Sequence, residues 1–205
     1  MHRFRSHTFR ANSATGTTER DKDIASLVEL VGNGTTEDQK KDAALALWSL
    51  ARNNVANQKA LARAGAIAPL IKLVEEGTEE QRGCAILTLM TLAEHDNIAV
   101  EIAEKGGIAP LVKLVEEGTE KQKTDAVNLL YDLSAGSPAA IADAGGIQPL
   151  VNLADSGSTL MQKKYASWAL KNLREPQLGE PRSLPPPASF LDDGQLQPRK
   201  NPRPL

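Results

Sequence analysis

The sequence AIAPLIKLVEEGTEEQR at residues 66–82 returns almost unchanged at residues 107–123 as GIAPLVKLVEEGTEKQK, with 13 of 17 positions identical. Weaker copies lie at residues 24–40 and 146–163. Self-similarity at a nearly fixed period is typical of tandem repeat architectures. The chain is therefore interpreted as a stack of modules, each about 40 residues long.

Glycine and proline divide each module into three predicted helices. A short first helix ends at a glycine, which suits the left-handed geometry just past a helix end. The second helix opens near a proline (Pro69, Pro110 or Pro149), where a missing N–H costs little. After a Gly-Thr or Gly-Ser turn, the third helix begins with a capping box such as Thr78 and Gln81. The predicted short helices are residues 57–64, 98–105 and 138–144, and the third helices are residues 37–51, 79–93, 120–133 and 160–173.

The apolar residues of the predicted helices share one face, as Ile86, Leu89 and Leu92 do in one third helix. No stretch shows the sustained alternation that is typical of strands. A single module cannot bury its apolar face alone, so we expect the modules to stack around one continuous core. The predicted fold class is an all-α solenoid.

Composition divides the chain into three predicted regions. Residues 1–20 are expected to be a disordered N-terminal arm, and residues 175–205, which hold 8 of the 12 prolines, a disordered tail. Residues 21–174 form the repeat domain, with units at about 21–52, 53–93, 94–135 and 136–174.

The composition also argues against catalysis and nucleic-acid binding. The net charge is −2, which gives no field suited to a phosphate backbone. Three histidines and one cysteine cannot supply a zinc site, and no phosphate-binding loop or nucleophile turn occurs. We therefore expect no enzyme activity, metal, cofactor or nucleic-acid partner. Cys84, in an apolar helical run, is interpreted as a core residue, with a reactive thiol as the alternative.

Two features bear on the location of the protein. The longest apolar run, residues 83–93, has 11 residues, whereas a membrane span needs about 20. No integral membrane segment is therefore expected. A single cysteine fits a reducing compartment, so we expect a cytoplasmic protein, with the nucleus as an alternative.

The order of helices and turns over residues 24–173 resembles the armadillo repeat. The segments AGAIAPLIKLVEEGTEEQR and AGGIQPLVNLADSGS are close to the family consensus. The style is most similar to vacuolar-protein-eight-like and plant or protist members, without a U-box. The resemblance implies a right-handed α-superhelix of about three full repeats and a leading two-helix half repeat. It also implies a groove, lined by the third helices, that binds extended peptides or partner proteins.

Importin-like members of the family carry a Trp and an Asn, four residues apart, on each third helix. In that family the Asn bonds the peptide backbone and the Trp side chains hold lysine stems. In this chain the Trp column is Leu45, Leu87, Asn128 and Trp168, and the Asn column is Ser49, Thr91, Asp132 and Asn172. Since only the last repeat has the family pair, recognition of nuclear signals is not expected.

A neighbouring column, three residues past the Trp position, contains Trp48, Met90, Tyr131 and Lys171. Its aromatic groups either pack against adjacent third helices or form the apolar part of a groove. Polar neighbours include His95, so we expect no strong charge preference in the ligand. The predicted partner-binding groove comprises Lys41, Leu45, Trp48, Ser49, Arg52, Leu87, Met90, Thr91, Asn128, Tyr131, Asp132, Lys164, Trp168 and Asn172.

Three functions are compatible with these observations. The first is a non-catalytic protein-interaction scaffold that binds an extended peptide along the third-helix groove. The second is structural assembly, by end-to-end stacking or self-association through the C-terminal repeat, whose end has no visible polar cap. In a rival hypothesis the tail covers this end by folding back over Leu160, Met161 and Tyr165. The third function, a ubiquitin-ligase-type adaptor, rests on family analogy alone.

Overall fold

The computed structural model describes residues 16–174, with side chains from residue 19, and this range is helical throughout, without a strand. The helices are α1 (Gly16–Asn33), α2 (Glu37–Ala51), α3 (Val55–Arg63), α4 (Ile67–Glu76), α5 (Glu79–Ala93), α6 (Asp96–Glu104), α7 (Ile108–Glu117), α8 (Glu120–Ser134), α9 (Pro138–Asp143), α10 (Ile147–Ser156) and α11 (Leu160–Arg174). The all-α fold class is confirmed. The predicted tail and residues 1–15 of the predicted arm lie outside the described residues.

The helix bounds differ from the predicted ones at a few ends. Helix α1 begins at Gly16, so residues 16–20 of the predicted arm are helical. Glu19 lies in its first turn, where a negative charge complements the helix dipole. Helix α3 begins two residues earlier than predicted because Asn54 caps it, accepting the N–H of Asn57 at 3.1 Å. Helix α6 also begins two residues earlier than predicted, and the other compared bounds agree with the sequence to within one residue.

Capping boxes start the third helices α2, α5 and α8. The hydroxyls of Thr36, Thr78 and Thr119 accept the backbone N–H of a glutamine three residues on, and that glutamine side chain accepts the threonine N–H. Helix α11 begins in the same way, since Gln162 N donates to Thr159 Oγ1 at 3.1 Å. The capping box predicted at Gln81 is thus confirmed, and the same arrangement starts each of the four third helices.

The glycine turns and the prolines also act as local signals. Gly65, Gly106 and Gly145 follow the short helices with φ of 78°, 85° and 75°, the left-handed region that glycine enters without strain. Each second helix begins two residues before its proline, so that Pro69 is the third residue of α4. The first four N–H groups of a helix have no partner within it, so proline is tolerated there.

The helices stack in two rows. The third helices pack in the order α2, α5, α8, α11, and the second helices α1, α4, α7 and α10 form the row behind them. The seam between the rows is the core, in which Leu47, Leu89 and Leu130 occupy equivalent and fully buried positions. The leading pair α1 and α2, followed by three units of three helices, matches the predicted half repeat and three full repeats.

Polar side chains join consecutive third helices. Gln81 Nε2 donates to the Glu37 carbonyl at 2.9 Å, and Gln162 Nε2 donates to the Glu120 carbonyl at 3.0 Å. Both glutamines are buried, and both also take part in the cap of their own helix. Hydrogen bonds from Ser158 and Gln162 lower the pKa of the Glu120 carboxyl. The capping glutamine therefore fixes a helix start and the spacing to the preceding repeat together.

Candidate functional site

The third helices α2, α5 and α8 line an open groove of about 800 Å³. Most of the lining comes from the first half of each helix, and it mixes acidic, basic and apolar side chains. The lining residues are Glu37, Lys41, Leu45, Trp48, Thr78, Glu79, Glu80, Gly83, Cys84, Leu87, Lys121 and Asp125.

Four residues of the predicted groove lie in this lining: Lys41, Leu45, Trp48 and Leu87. Leu45 is 42 % exposed, which is unusual for a large apolar side chain in the middle of a packed helix row. Trp48 is half-buried, and the guanidinium of Arg52 lies 5.4 Å from its ring centroid, within the range of a cation–π contact. Together these side chains give the groove an apolar wall.

Lys41 connects two walls of the groove. Its Nζ lies 3.0 Å from Asp38 Oδ1 on the same helix and 3.2 Å from Glu80 Oε2 on α5. The hydrogen bonds to Asp38 and then Glu80 raise the pKa of Lys41, so the amine stays charged. The charge of Lys41 is therefore engaged within the protein.

The other predicted residues lie outside this groove lining. Thr91 and Asn128 are buried, and the hydroxyls of Ser49 and Thr91 donate to backbone carbonyls of their own helices, at 3.0 Å and 2.9 Å. Lys164 is exposed, and Met90 and Asp132 are half-buried. Their part in binding stays a prediction.

An aromatic cluster of Tyr131, Tyr165 and Trp168 lies where α8 meets α11. The ring centroids are 5.6 to 5.8 Å apart. Tyr131 thus packs against the neighbouring third helix, whereas Trp48 lines the groove, so the two alternatives for their column each hold for one residue. Burial raises the pKa of Tyr165 and keeps the phenol neutral.

The Trp168 and Asn172 pair of the last repeat adjoins this cluster. Trp168 is 37 % exposed, and Asn172 Nδ2 donates to Ser134 Oγ of α8 at 2.8 Å. The amide that would bond a peptide therefore already bonds a side chain of the protein. Tyr165 is buried, whereas Leu160 and Met161 are exposed. The hypothesis that the tail covers these residues concerns a segment outside the described residues and stays a prediction.

The structure adds two groove residues that the sequence analysis did not include, Asp125 and Cys84. Asp125 is 3 % exposed, and its buried Oδ1 has no hydrogen-bond partner. Burial raises the pKa of Asp125 to about 6, although the charge of Lys121 lowers it slightly. Burial also raises the pKa of the half-buried Cys84 thiol, which favours the packing interpretation over a reactive thiolate.

Further searches of the described range gave negative results. Within residues 16–174, no three His, Cys, Asp or Glu side chains are grouped so that they could hold a metal ion. None of the helices α1 to α11 combines the length and hydrophobicity that a membrane crossing requires.

Comparison with known proteins agrees with this architecture. A family model described as Armadillo/beta-catenin-like repeat matches residues 134–174. An engineered protein of the Northeast Structural Genomics Consortium is 30 % identical with a TM-score of 0.67, and the match covers 74 % of this chain and 62 % of that one. A designed armadillo repeat protein in complex with the peptide (KR)4 is 25 % identical, with a TM-score of 0.67 and coverages of 73 % and 63 %.

A third similar structure belongs to the computationally designed armadillo repeat proteins for modular peptide recognition. It is 26 % identical with a TM-score of 0.68, and the match covers 81 % of this chain and 75 % of that one. The chain thus spans a little over 60 % of the length of the first two structures. A search of curated proteins found no match.

These findings define the class of the protein as an α-solenoid. Within that class it has armadillo-type repeats: residues 134–174 match the repeat model and the fold is similar to that of designed armadillo repeat proteins, as the sequence resemblance indicated. The comparisons do not support the vacuolar-protein-eight-like subtype, which stays a prediction.

Proposed function

We propose that this protein is a non-catalytic interaction module that binds an extended peptide segment along the groove lined by α2, α5 and α8. The main support is the exposed Leu45, which shares an open groove with Trp48 and Leu87. Apolar side chains in a concave site rimmed by polar groups are typical of binding surfaces. Two similar designed proteins are described as peptide binders: one is in complex with the peptide (KR)4, and the other was designed for modular peptide recognition.

The charge of the groove favours a polypeptide over a nucleic acid. Four carboxyl groups line it, those of Glu37, Glu79, Glu80 and Asp125, against two lysines. One of these lysines, Lys41, is already paired with carboxylates. A phosphate backbone would be repelled by such a lining, so we infer a protein or peptide partner.

Selection from a displayed random-peptide library tests this function. Selected peptides should lose at least about tenfold in affinity for Leu45→Glu, because the charge replaces an exposed apolar side chain that lines the groove. Val55→Glu is the matched control, since Val55 is also exposed but lies on the short helix α3. Fluorescence anisotropy measures the affinities, and thermal melting checks that both variants stay folded.

Two outcomes would contradict the proposal: no peptide is selected, or the selected peptides bind both variants as well as the wild type. Trp48→Ala and Trp168→Ala then map the length of the groove. Trp48→Ala should weaken binding, whereas Trp168→Ala does so only if the peptide also reaches the last repeat.

Structural assembly is a second candidate, supported by the two ends of the helix stack. Ile147 is 47 % exposed on α10, whereas the equivalent Ile108 inside the stack is 3 % exposed. At the other end, Leu30 on α1 is 41 % exposed against 5 % for the equivalent Leu73. Two different apolar faces of this kind would join head to tail and generate open chains.

Sedimentation at increasing protein concentration tests this assembly. An increase in the size of the sedimenting species with protein concentration would favour assembly, provided that Ile147→Lys abolishes the increase. A wild-type protein that stays monomeric at high concentration would exclude it.

We also propose a cytoplasmic location, with the nucleus as the alternative. The support is one unpaired cysteine, whose half-buried thiol has a pKa raised by burial, because a single cysteine fits a reducing compartment. Microscopy of the tagged full chain in its native cell tests the location, and accumulation in a secretory compartment would contradict it.

A further inference from the structure

The outer face of α11 is polar where the same face of the inner third helices is apolar. In α2, α5 and α8 the position five residues after the capping glutamine is filled by the buried Ala44, Ile86 and Val127. This face adjoins the next third helix, since the Ala44 carbonyl accepts a hydrogen bond from α5. Helix α11 has the exposed Ser167 at that position and the exposed Lys171 four residues further on. A partner of this face must therefore offer polar and charged groups.

The two ends of the helix stack have opposite charge. Helices α10 and α11 together have one acidic and four basic residues, whereas α1 and α2 have seven acidic and four basic residues. The basic side chains are exposed on α11, and none forms an ion pair with another described residue. They are Lys163, Lys164, Lys171 and Arg174. Opposite charge would attract the first end of one copy to the last end of another.

Contacts inside the stack show which positions of consecutive third helices meet. Lys41, two residues after the capping glutamine of α2, lies 3.2 Å from the carboxylate of Glu80, one residue before the capping glutamine of α5. Tyr131 and Tyr165, nine and three residues after the capping glutamines of α8 and α11, have ring centroids 5.8 Å apart. A helix that continued the row beyond α11 would meet it at the same positions.

At both of these positions α11 and α2 carry opposite charges. Two residues after its capping glutamine α11 has Lys164, and one residue before its own capping glutamine α2 has Asp38. Nine residues after the capping glutamine α11 has Lys171, and three residues after it α2 has Asp42. All four side chains are exposed. Continuation of the row by a second copy would therefore bring two lysines to two aspartates.

The backbone offers a third contact at the same interface. Gln81 and Gln162 donate from Nε2 to the carbonyl of the first residue of the preceding third helix. Gln39 is the corresponding residue of α2 and is exposed. In a second copy it would reach the carbonyl of Leu160, the first residue of α11.

We propose that α11 of one copy packs against α2 of a second copy and continues the row of third helices, with Lys164 at Asp38 and Lys171 at Asp42. The inference rests on the assembly candidate of the proposed function and specifies its register and direction, which exposed apolar residues alone do not set. Ion pairs at a solvated interface contribute little each and are screened by salt. The association is therefore weak and is best measured at low ionic strength.

Sedimentation velocity of the full chain at rising protein concentration tests the inference through an exchange of charges. The sedimenting species of the wild type should grow with concentration. Lys171→Glu and Asp42→Lys should each raise the apparent dissociation constant at least about tenfold, because each places like charges opposite one another. Lys113→Glu is the matched control, since Lys113 is an exposed lysine of α7 inside the stack.

An equimolar mixture of Lys171→Glu and Asp42→Lys should associate again, because alternating copies then meet opposite charges at every interface. The double variant, in which the two charges are exchanged, should associate by itself. Recovery in the mixture also shows that both single variants are folded, and thermal melting checks this independently.

The inference is overturned if the wild type stays monomeric, if the single variants associate as the wild type does, or if their mixture stays monomeric. Its failure is distinguishable from failure of the assembly candidate. Association that Ile147→Lys abolishes, but that neither charge variant changes, would retain assembly through the apolar ends and reject this register.

Discussion

The burial of Asp125 makes the stability of the protein depend on pH. An unfolded aspartate titrates near about 3.9, whereas burial raises the pKa of Asp125 to about 6. Between these values the folded state binds more protons than the unfolded state, so the free energy of unfolding falls as the pH rises. The contribution of this group is fully retained below about pH 4 and is lost as the pH passes about 6.

Asp125→Asn should remove this pH dependence. We expect the variant to be about 1 to 3 kcal/mol more stable than the wild type near neutral pH, and the gain to vanish near about pH 4. Urea unfolding of both proteins across this range measures the difference, with the exposed Asp42→Asn as control. A gain that is equal at all pH values would show that desolvation of the carboxylate is not its cause.

The repeat register predicted some groove residues but could not predict Asp125. Leu45 and Leu87 follow from their place on the third helices, because equivalent positions of a repeat face the same way. At the position of Asp125 the earlier repeats have the exposed Asp42 and the half-buried Cys84. The burial of Asp125 depends on how closely the helices around α8 pack. This closeness is a tertiary property that cannot be inferred from the position of a residue in the repeat.

The capping glutamine gives the third helices two kinds of support. Gln81 closes the capping box of α5 and also donates to the Glu37 carbonyl of α2. Gln39 is exposed and closes the capping box of α2, which no third helix precedes within residues 16–174. Substituting each glutamine in turn therefore distinguishes the contribution of the helix cap to stability from that of the hydrogen bond between repeats.

Gln81→Ala should destabilise the protein by about 2 to 3 kcal/mol, because it removes a cap and leaves a buried carbonyl without its donor. Gln39→Ala should cost only about 1 kcal/mol, since it removes the cap alone. Urea unfolding measures both. Equal losses would mean that the bond to Glu37 adds nothing to the interface.

Two glycines with free space around them separate backbone conformation from packing. A Cβ on Gly106 or Gly83 would meet no atom within 4 Å, but Gly106 has a φ of 85° whereas Gly83 lies inside α5. Gly106→Ala should destabilise the protein by about 1 to 2 kcal/mol, and Gly83→Ala should stabilise it by about 0.5 to 1 kcal/mol. Thermal melting measures both changes: the melting temperature should fall for Gly106→Ala and rise for Gly83→Ala. A shift in the same direction in both variants would show that backbone conformation does not decide the effect.

Most helix bounds could be predicted because the signals are local. A threonine with a glutamine three residues later, or a glycine after a short apolar run, fixes an end within a few residues. Two of the errors arose where the helix start lay outside the repeat pattern. Asn54 starts α3 early, and α1 extends back to Gly16 through a polar segment that resembles a free arm in composition.

At the scale of the whole molecule, each repeat contacts only its neighbours, so stability should vary along the stack. Among the described helices, α5 and α8 have a third helix on both sides, whereas α11 has one on a single side. Native-state hydrogen exchange should therefore be slowest in α5 and α8 and faster in α11. Uniform protection in all three helices would indicate that the stack opens as one unit.

Stacking was predictable from the repeat, but the chemistry of the two end faces was not. Ile147 and Ile108 are the same residue at equivalent positions, but Ile108 is buried inside the stack, whereas Ile147 is exposed on the last second helix of the described residues. Sequence similarity between modules therefore conceals the difference between a face inside the stack and a face at its end.

The contact between Trp48 and Arg52 has a practical consequence. The chain has two tryptophans, and Trp168 is not among the residues that line the groove. After Trp168→Phe, the indole at the guanidinium would be the sole source of tryptophan emission. The intrinsic fluorescence of Trp48 would then report, without an attached dye, when a binding partner displaces water or the Arg52 guanidinium from the indole ring.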